Sequence, residues 1–278
     1  MYNLNANSSI AIIANTKIKS WSLGEYLRIV SFIPNLNYKK LNWYSDKKLH
    51  PIIKEIDNIS EVKNLKNFNS SKYDHVIDLH QNLPNNPKTF YINNLFSDSS
   101  DDKIKIKNLL DLLANTYGLK KYKTYFNKKK ILKNVYDLFI CWDTDEKWKI
   151  KRYPHKQYLI LKKMLEKKFS IKIKIQNKND SIKKYVENIR QSKIILSVMT
   201  FGCHVAMLHN KNLIVLVGPN NFDDLKFYKK AKVILPENKC VYRPCNLPNG
   251  IDNCGCMPQI SLNKIFNEIT KIYEKIQK

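Results

Sequence analysis

The chain has 278 residues, of which 43% are hydrophobic and 11% aromatic, and its formal net charge is +25 at pH 7. This apolar content suffices for the cores of two ordinary domains, and no apolar run approaches the roughly 20 residues that cross a bilayer. The first residues lack the basic and apolar regions of a secretory signal, so we expect a cytoplasmic protein.

The strong positive charge would attract phosphates, nucleic acid or an anionic membrane face. However, lysine is spread along the whole chain together with asparagine and isoleucine, and it follows no single helical stripe. This distribution favours a general compositional bias over a dedicated nucleic-acid role. A peripheral association with the inner face of the inner membrane also stays open.

The first half alternates short apolar runs with helical patterns. The predicted strands are Ser9–Ala14, Leu41–Tyr44, His75–Leu79 and Thr89–Ile92, and the predicted helices are Leu23–Phe32, Lys47–Ile56 and Asp101–Tyr117. From residue 119 to 133 the chain is rich in Lys, Tyr and Asn and poor in aliphatics, so we predict a boundary between domains 1–132 and 133–278.

The second half restarts the alternation. Its predicted strands are Tyr136–Trp142, Ile171–Ile175, Ile194–Ser197 and Leu213–Val217, and its predicted helices are Lys156–Lys167, Ser181–Gln191, Cys203–His209 and Leu262–Ile276. The pattern predicts an α/β fold with mainly parallel sheets. Ligands of such folds bind in the crevice at the carboxyl ends of the strands, so functional residues should follow strands.

Three segments after predicted strands carry candidate residues. The first is Leu23-Gly24-Glu25, in which a glycine permits close approach and a carboxylate at a helix start could act as a base. Taken alone, Glu25 is better explained as a first-turn acid that only stabilises the helix, because such acids are common there. The second is Lys151-Arg152, two cations placed where a diphosphate could bind, or else a solvated basic loop.

The third segment runs from Thr200 through His204 to Gly218 and Pro219. Backbone amides at the helix start could hold a diphosphate, with the Thr200 hydroxyl and His204 as further donors. A single histidine on a helix is more often structural.

Four cysteines lie close together near the end of the chain: Cys240, Cys245, Cys254 and Cys256. Four thiols could bind zinc or iron, although the spacings are not those of a standard zinc ribbon.

These segments resemble glycosyltransferase family 9, the bacterial heptosyltransferases. Leu23-Gly24-Glu25-Tyr-Leu-Arg is similar to the family's Leu-Gly-Asp-Val-Leu-Arg, and 148–154 is similar to Trp-Pro-Thr-Lys-Arg-Trp-Pro. The stretch 199–219 is similar to Asp-Thr-x-x-x-His-Leu-Ala followed by Gly-Pro-Thr, with Met199 where an Asp is usual.

The resemblance implies two Rossmann-like domains facing a central cleft, the GT-B type, with acceptor on the first domain and nucleotide sugar on the second. It implies Glu25 as general base and a donor site at Lys151, Arg152, Thr200, His204, Gly218 and Pro219. Catalysis would need no cofactor, and the segment 240–256 would hold a structural zinc or iron.

The implied reaction is an inverting transfer of a sugar, with heptose from ADP-heptose expected, to a hydroxyl of a lipopolysaccharide core or a related glycan. Transfer to protein or to modified DNA stays open. So does a non-catalytic protein that binds nucleic acid or an anionic surface, favoured by the charge of +25 and by Met199.

Overall fold

The computed structural model describes residues 4–15, 23–79, 89–91, 113, 117–119, 133–222, 225, 228–245 and 255–278. The chain divides into two compact units, unit 1 from Met1 to Lys129 and unit 2 from Lys130 to Lys278. The predicted domain boundary, between residues 132 and 133, adjoins the stretch 120–132, which lies outside the described residues.

Unit 1 contains a five-stranded parallel sheet in the order β3-β2-β1-β4-β5. The strands are β1 Ser9–Ala14, β2 Lys40–Ser45, β3 Glu61–Asn64, β4 His75–Asp78 and β5 Thr89–Tyr91. Helix α1, Leu23–Phe32, follows β1, and the short helix α2, His50–Ile53, follows β2. This is the strand order of a Rossmann fold, 3-2-1-4-5-6, without the sixth strand.

Strand β1 lies at the centre of this sheet because its side chains are apolar on both faces. Residues 10–14 are fully buried, as expected of a parallel strand covered on both sides. Helix α1 covers the sheet through an amphipathic face, and its Tyr26, Leu27 and Val30 are at most 2% exposed.

Unit 2 contains a second five-stranded parallel sheet, in the order β10-β9-β8-β6-β7. The strands are β6 Tyr136–Cys141, β7 Ile173–Ile175, β8 Ser192–Val198, β9 Asn212–Leu216 and β10 Ala231–Ile234. The helices are α3 His155–Lys168, α4 Ile182–Arg190, α5 Phe201–Leu208 and α6 Leu262–Gln277. When the strands of this unit are numbered 1 to 5 in chain order, their order from β7 to β10 is 2-1-3-4-5, as in flavodoxin-like folds.

Local signals define the helix starts in unit 2. The side chains of Ser181 and Ser261 accept hydrogen bonds from amides three residues later, so each caps its helix. Helix α6 then buries Ile265, Ile269 and Tyr273 in the core that also contains residues of β6, β8 and β9.

The α/β class with parallel sheets is therefore confirmed, and most predicted elements are found within one or two residues of their predicted bounds. Helix α2 is shorter than the predicted Lys47–Ile56 and starts at His50, with Pro51 in its first turn. The predicted helix Asp101–Tyr117 lies almost wholly outside the described residues. Strands β3 and β10 were not predicted, because both are short edge strands with partly exposed side chains.

Within the described residues, no helix combines the length and the apolar character needed to cross a membrane.

Candidate functional site

The strand order of unit 2 creates a topological switch point between β6 and β8. These strands are neighbours, and the chain continues from β6 to β7 on one side and from β8 to β9 on the other. Connections that leave in opposite directions open a crevice at the carboxyl ends of the two strands. The loop 142–154 after β6 and the turn 199–200 after β8 both begin at this edge.

Thr200 starts helix α5 without capping it. Its backbone is extended, with φ −144° and ψ −173°, and its side chain makes no capping hydrogen bond. Instead the Thr200 hydroxyl donates to the Val198 carbonyl at 3.3 Å. The first-turn amides of α5 are therefore not capped by a side chain of their own segment. This leaves the positive end of the helix dipole suited to an anion.

His204 lies in the first turn of the same helix and is partly buried. His204 also has an interaction partner within the protein. The predicted donor residues Thr200 and His204 thus share one helix start, at the switch point.

Gly202 lets α5 pack tightly against the sheet. A Cβ there would clash with the Tyr185 hydroxyl and would lie 3.1 Å from Ser197 Oγ and 3.2 Å from Cys141 Sγ. The neighbouring Cys203 thiol donates to the Val198 carbonyl at 2.9 Å. The start of α5 is therefore closely packed against these side chains and the end of β8.

The buried thiols of this cluster are unreactive. Burial raises the pKa of the Cys203 thiol to about 11, and burial raises the pKa of Cys141 well above its usual range. Both therefore stay protonated at neutral pH, which removes them as nucleophiles.

Lys151 ends a 3-10 segment, Glu146–Lys151, in the loop after β6. Its Nζ lies 3.9 Å from the centroid of the Trp148 ring, a cation–π contact that directs the ammonium group. After the dominant effect of burial and the effects of nearby hydrogen bonds, the positive charge of Lys151 slightly lowers the pKa of the Cys203 thiol. The loop that presents Lys151 follows β6, the neighbour of the strand β8 that leads into α5.

Arg152 is occupied within its own loop. Its Nη2 donates to the Thr144 carbonyl at 2.8 Å and to Glu146 Oε1 at 2.6 Å, and lies 3.2 Å from Asp143 Oδ1. Hydrogen bonds from Arg152 and Lys149 lower the pKa of Glu146 to about 2. Arg152 thus holds the loop that presents Lys151, a role that the sequence did not indicate.

Gly218 and Pro219 follow strand β9. A Cβ at Gly218 would lie 2.5 Å from Met257 Sδ and 2.8 Å from Cys256 Sγ, so this glycine permits the close approach of the chain's last turn before α6. Pro219 is buried. The side of Gly218 on which a Cβ would stand therefore faces the cysteine segment.

The cysteine segment is described in part. Cys240 and Cys245 are partly exposed and Cys256 is buried, whereas Cys254 lies outside the described residues. Among the residues that the structure describes, no group of three or more His, Cys, Asp or Glu could hold a metal ion. The described cysteines alone do not make a metal site, so no chemical step is assigned to one.

In unit 1, Glu25 is the third residue of α1, although its side chain lies outside the description. The next residue, Tyr26, donates its hydroxyl to the Asn15 carbonyl at 3.1 Å and so ties α1 to the end of β1. Glu25 therefore belongs to a helix that is anchored at the carboxyl edge of its sheet.

Asp78 is a candidate site residue of unit 1 that the sequence pattern did not reveal. It ends β4, pairs in register with Ile13 of β1 and is fully buried. The switch point of unit 1 lies between these two strands. An acidic residue that closes an apolar strand is the sequence signal that could have revealed it.

Comparison with solved structures identifies the fold. The structure of the E. coli ADP-heptose lps heptosyltransferase II matches with a TM-score of 0.68 and 13% identity, over 97% of this chain and 100% of that one. A glycosyl transferase family 9 structure from Veillonella parvula matches with a TM-score of 0.65 and 12% identity, over 98% and 99%. The E. coli heptosyltransferase WaaC with ADP matches with a TM-score of 0.61 and 13% identity, over 95% and 99%.

No protein-family model matches the chain, and no curated protein matches it significantly in sequence. The resemblance to glycosyltransferase family 9 that the motifs predict is thus confirmed at the level of the fold. The chain thus shares its fold with these heptosyltransferase and glycosyl transferase structures.

Proposed function

We propose that the chain is an inverting glycosyltransferase that uses a nucleotide-diphosphate sugar. The observation that carries this proposal is the arrangement at the switch point of unit 2, where the loop with Lys151 follows β6 and the uncapped start of α5 follows the neighbouring strand β8. A cation and a set of backbone amides at one helix start suit the diphosphate of such a donor.

These groups would act on the leaving group. When the bond between the anomeric carbon and the diphosphate oxygen breaks, its electron pair leaves with the nucleoside diphosphate. Lys151, the amides of α5, the Thr200 hydroxyl and His204 would stabilise the added negative charge. Such stabilisation needs no metal ion, and Arg152 would contribute by holding the Lys151 loop in place.

Glu25 is proposed as the general base. Its carboxylate would take the proton of the acceptor hydroxyl while the oxygen attacks the anomeric carbon from the face opposite the diphosphate. This role requires the two units to face one another across a cleft, as in the GT-B type. The proposal is supported by the start of α1, where Glu25 occupies the first turn.

ADP-heptose is the donor we favour, and the hydroxyl of a lipopolysaccharide core or a related glycan is the acceptor. The support is the fold shared with structures described as an ADP-heptose lps heptosyltransferase and as a heptosyltransferase with ADP. The net charge of +25 suits both an anionic donor and a phosphorylated glycolipid at the cytoplasmic face of the inner membrane.

The donor site is tested by calorimetry and thermal shift with ADP-heptose, with GDP-, UDP- and dTDP-sugars and with the free diphosphates. We expect one nucleotide to bind saturably, and Lys151→Ala to weaken its binding at least tenfold. Lys147→Ala in the same loop is the matched control, since Lys147 is exposed, and it should bind as the unmodified protein does. Binding of DNA alone, with no nucleotide bound, would instead favour the non-catalytic alternative.

The base is tested by Glu25→Gln, which keeps the size of the side chain and removes its charge. Transfer should fall by about two orders of magnitude or more while donor affinity stays nearly the same. Glu25→Asp should recover part of the rate. A Glu25→Gln enzyme at full rate contradicts the assignment.

A metal at the cysteine segment stays a prediction, and catalysis without a metal is a proposal of its own. Elemental analysis of the purified chain and of Cys240→Ser tests the first. Transfer measured with and without a chelator tests the second, and we expect the rate to be unchanged.

A further inference from the structure

Helix α3 exposes two large aliphatic side chains to solvent. Leu159 is 43% exposed and Ile160 is 45% exposed, although the opposite face of the helix buries Tyr158, Leu161 and Leu165 completely. The helix is therefore well packed on one side and apolar in part on the other.

Three exposed lysines lie on the same outer face. Lys156, Lys163 and Lys167 are all exposed, and together with Leu159 and Ile160 they follow the i, i+3, i+4, i+7, i+11 spacing of one helix face. The sequence as a whole predicts no lysine stripe, but once the helix bounds and burial are known, α3 carries one. We call these five residues the α3 outer face.

Acidic groups do not neutralise this face. The one acid of α3, Glu166, lies beside it and pairs with Lys162 at 3.6 Å, while Lys168 pairs with Glu274 at 3.4 Å. In the described part of the chain, no ion pair involves Lys156, Lys163 or Lys167. The positive charge of the α3 outer face is thus available to an external partner.

We propose that the α3 outer face docks on an anionic lipid bilayer. Leu159 and Ile160 enter the boundary between headgroups and acyl chains, and the lysines extend their ammonium groups to the lipid phosphates. The phosphates of a nucleic-acid duplex would also attract the lysines. However, a duplex surface has no apolar layer that could bury Leu159 and Ile160. A second copy would bring three lysines against three lysines across a two-fold axis.

The face lies close in sequence to the candidate donor site. Helix α3 begins at His155, directly after the Lys151-Arg152 loop, with Pro154 as its N-cap residue. Docking would hold this loop near the membrane surface. The docking proposal stands apart from the proposed transfer, because it concerns lipid binding by the protein without any donor.

The test is co-sedimentation of the full chain with phosphatidylcholine vesicles that contain or lack phosphatidylglycerol. We expect binding only to the anionic vesicles and weaker binding at raised salt. The triple variant Lys156→Gln, Lys163→Gln, Lys167→Gln should bind the anionic vesicles at least about tenfold more weakly than the unmodified chain. The double variant Leu159→Ser, Ile160→Ser should also bind severalfold more weakly, with an unchanged salt dependence.

The matched control removes three exposed lysines from other helices by Lys183→Gln, Lys264→Gln and Lys275→Gln, which gives the same net charge. It should bind vesicles within twofold of the unmodified chain. Circular dichroism should show that every variant is folded, because all the changed side chains lie on the outer surface of their helices.

Several outcomes would overturn the proposal. The first is that the unmodified chain fails to bind anionic vesicles. The second is that the two triple variants lose vesicle binding equally, which would indicate an effect of net charge alone. If the double variant binds vesicles as the unmodified chain does, Leu159 and Ile160 do not enter the bilayer. Conversion of a dimer into a monomer by the double variant would assign the face to a second copy of the chain.

Discussion

The ammonium group of Lys151 lies 3.9 Å from the centroid of the Trp148 indole, three residues earlier in the same loop. Trp148 itself departs from helical geometry, with φ −117° and ψ 38°. The contact with the indole restricts where the lysine can place its charge.

Trp148→Leu should therefore weaken nucleotide binding through a less ordered Lys151. A cation–π contact of this exposure contributes about 0.5–1 kcal/mol, which corresponds to about a two- to fivefold loss of affinity. Trp148→Phe should lose less, since it keeps a ring. Calorimetry measures the nucleotide affinity of both variants. Equal affinities of Trp148→Leu and the unmodified chain would show that the indole does not contribute to donor binding.

Arg152→Ala should destabilise the loop by about 1–3 kcal/mol, because the side chain is 23% exposed and its partners lose a charged donor. If Arg152 acts by holding the loop, Asp143→Asn should lower donor affinity in the same direction. The double variant should then be no worse than Arg152→Ala, since one network is removed once. Additive losses would instead indicate that Arg152 contacts the donor directly.

Gly202→Ala should destabilise unit 2 by about 1–3 kcal/mol, because the new methyl group meets the Tyr185 hydroxyl. Tyr185→Phe removes that oxygen and should recover part of the loss in the double variant. Chemical denaturation followed by circular dichroism gives the four free energies of unfolding. Purely additive values would contradict the close contact.

The stability of unit 2 should fall as the pH is lowered from about 6.5 toward 3. Burial, followed by the positive charges of Arg190 and Lys211, lowers the pKa of His209 to about 3. The unfolded chain then binds a proton in this window that the folded chain does not, so the free energy of unfolding rises with pH across it. His209→Gln should show a shallower dependence in urea titrations at several pH values, and an unchanged slope would contradict this account.

Much of the fold could be predicted because its strands are apolar on both faces. Strand β1 and helix α1 have the predicted bounds, Ser9–Ala14 and Leu23–Phe32. The pattern failed where burial is incomplete. The edge strand Glu61–Asn64 has no buried side chain, and it is joined to β2 by backbone pairing and by polar contacts of Glu61 with Lys40 and Asn42. Periodicity of side chains cannot reveal such a strand.

The helix Lys47–Ile56 was predicted too long for a different reason. Its hydrophobic spacing suits a helix throughout, but Pro51 lacks an amide hydrogen and is tolerated only in the first turn. The helix accordingly starts at His50, and the chain before it forms a turn.

The sequence by itself determined the class of fold and the order of the candidate residues, because alternating apolar runs and strand-end loops are local properties. Only the tertiary structure decided how these residues are used. Arg152 is taken up by carboxylates of its own loop, and Gly218 faces Met257, which lies 39 positions further along the chain. Lys156, Lys163 and Lys167 became one surface when the core buried the other side of α3. Such partnerships depend on packing between distant segments, which no local pattern specifies.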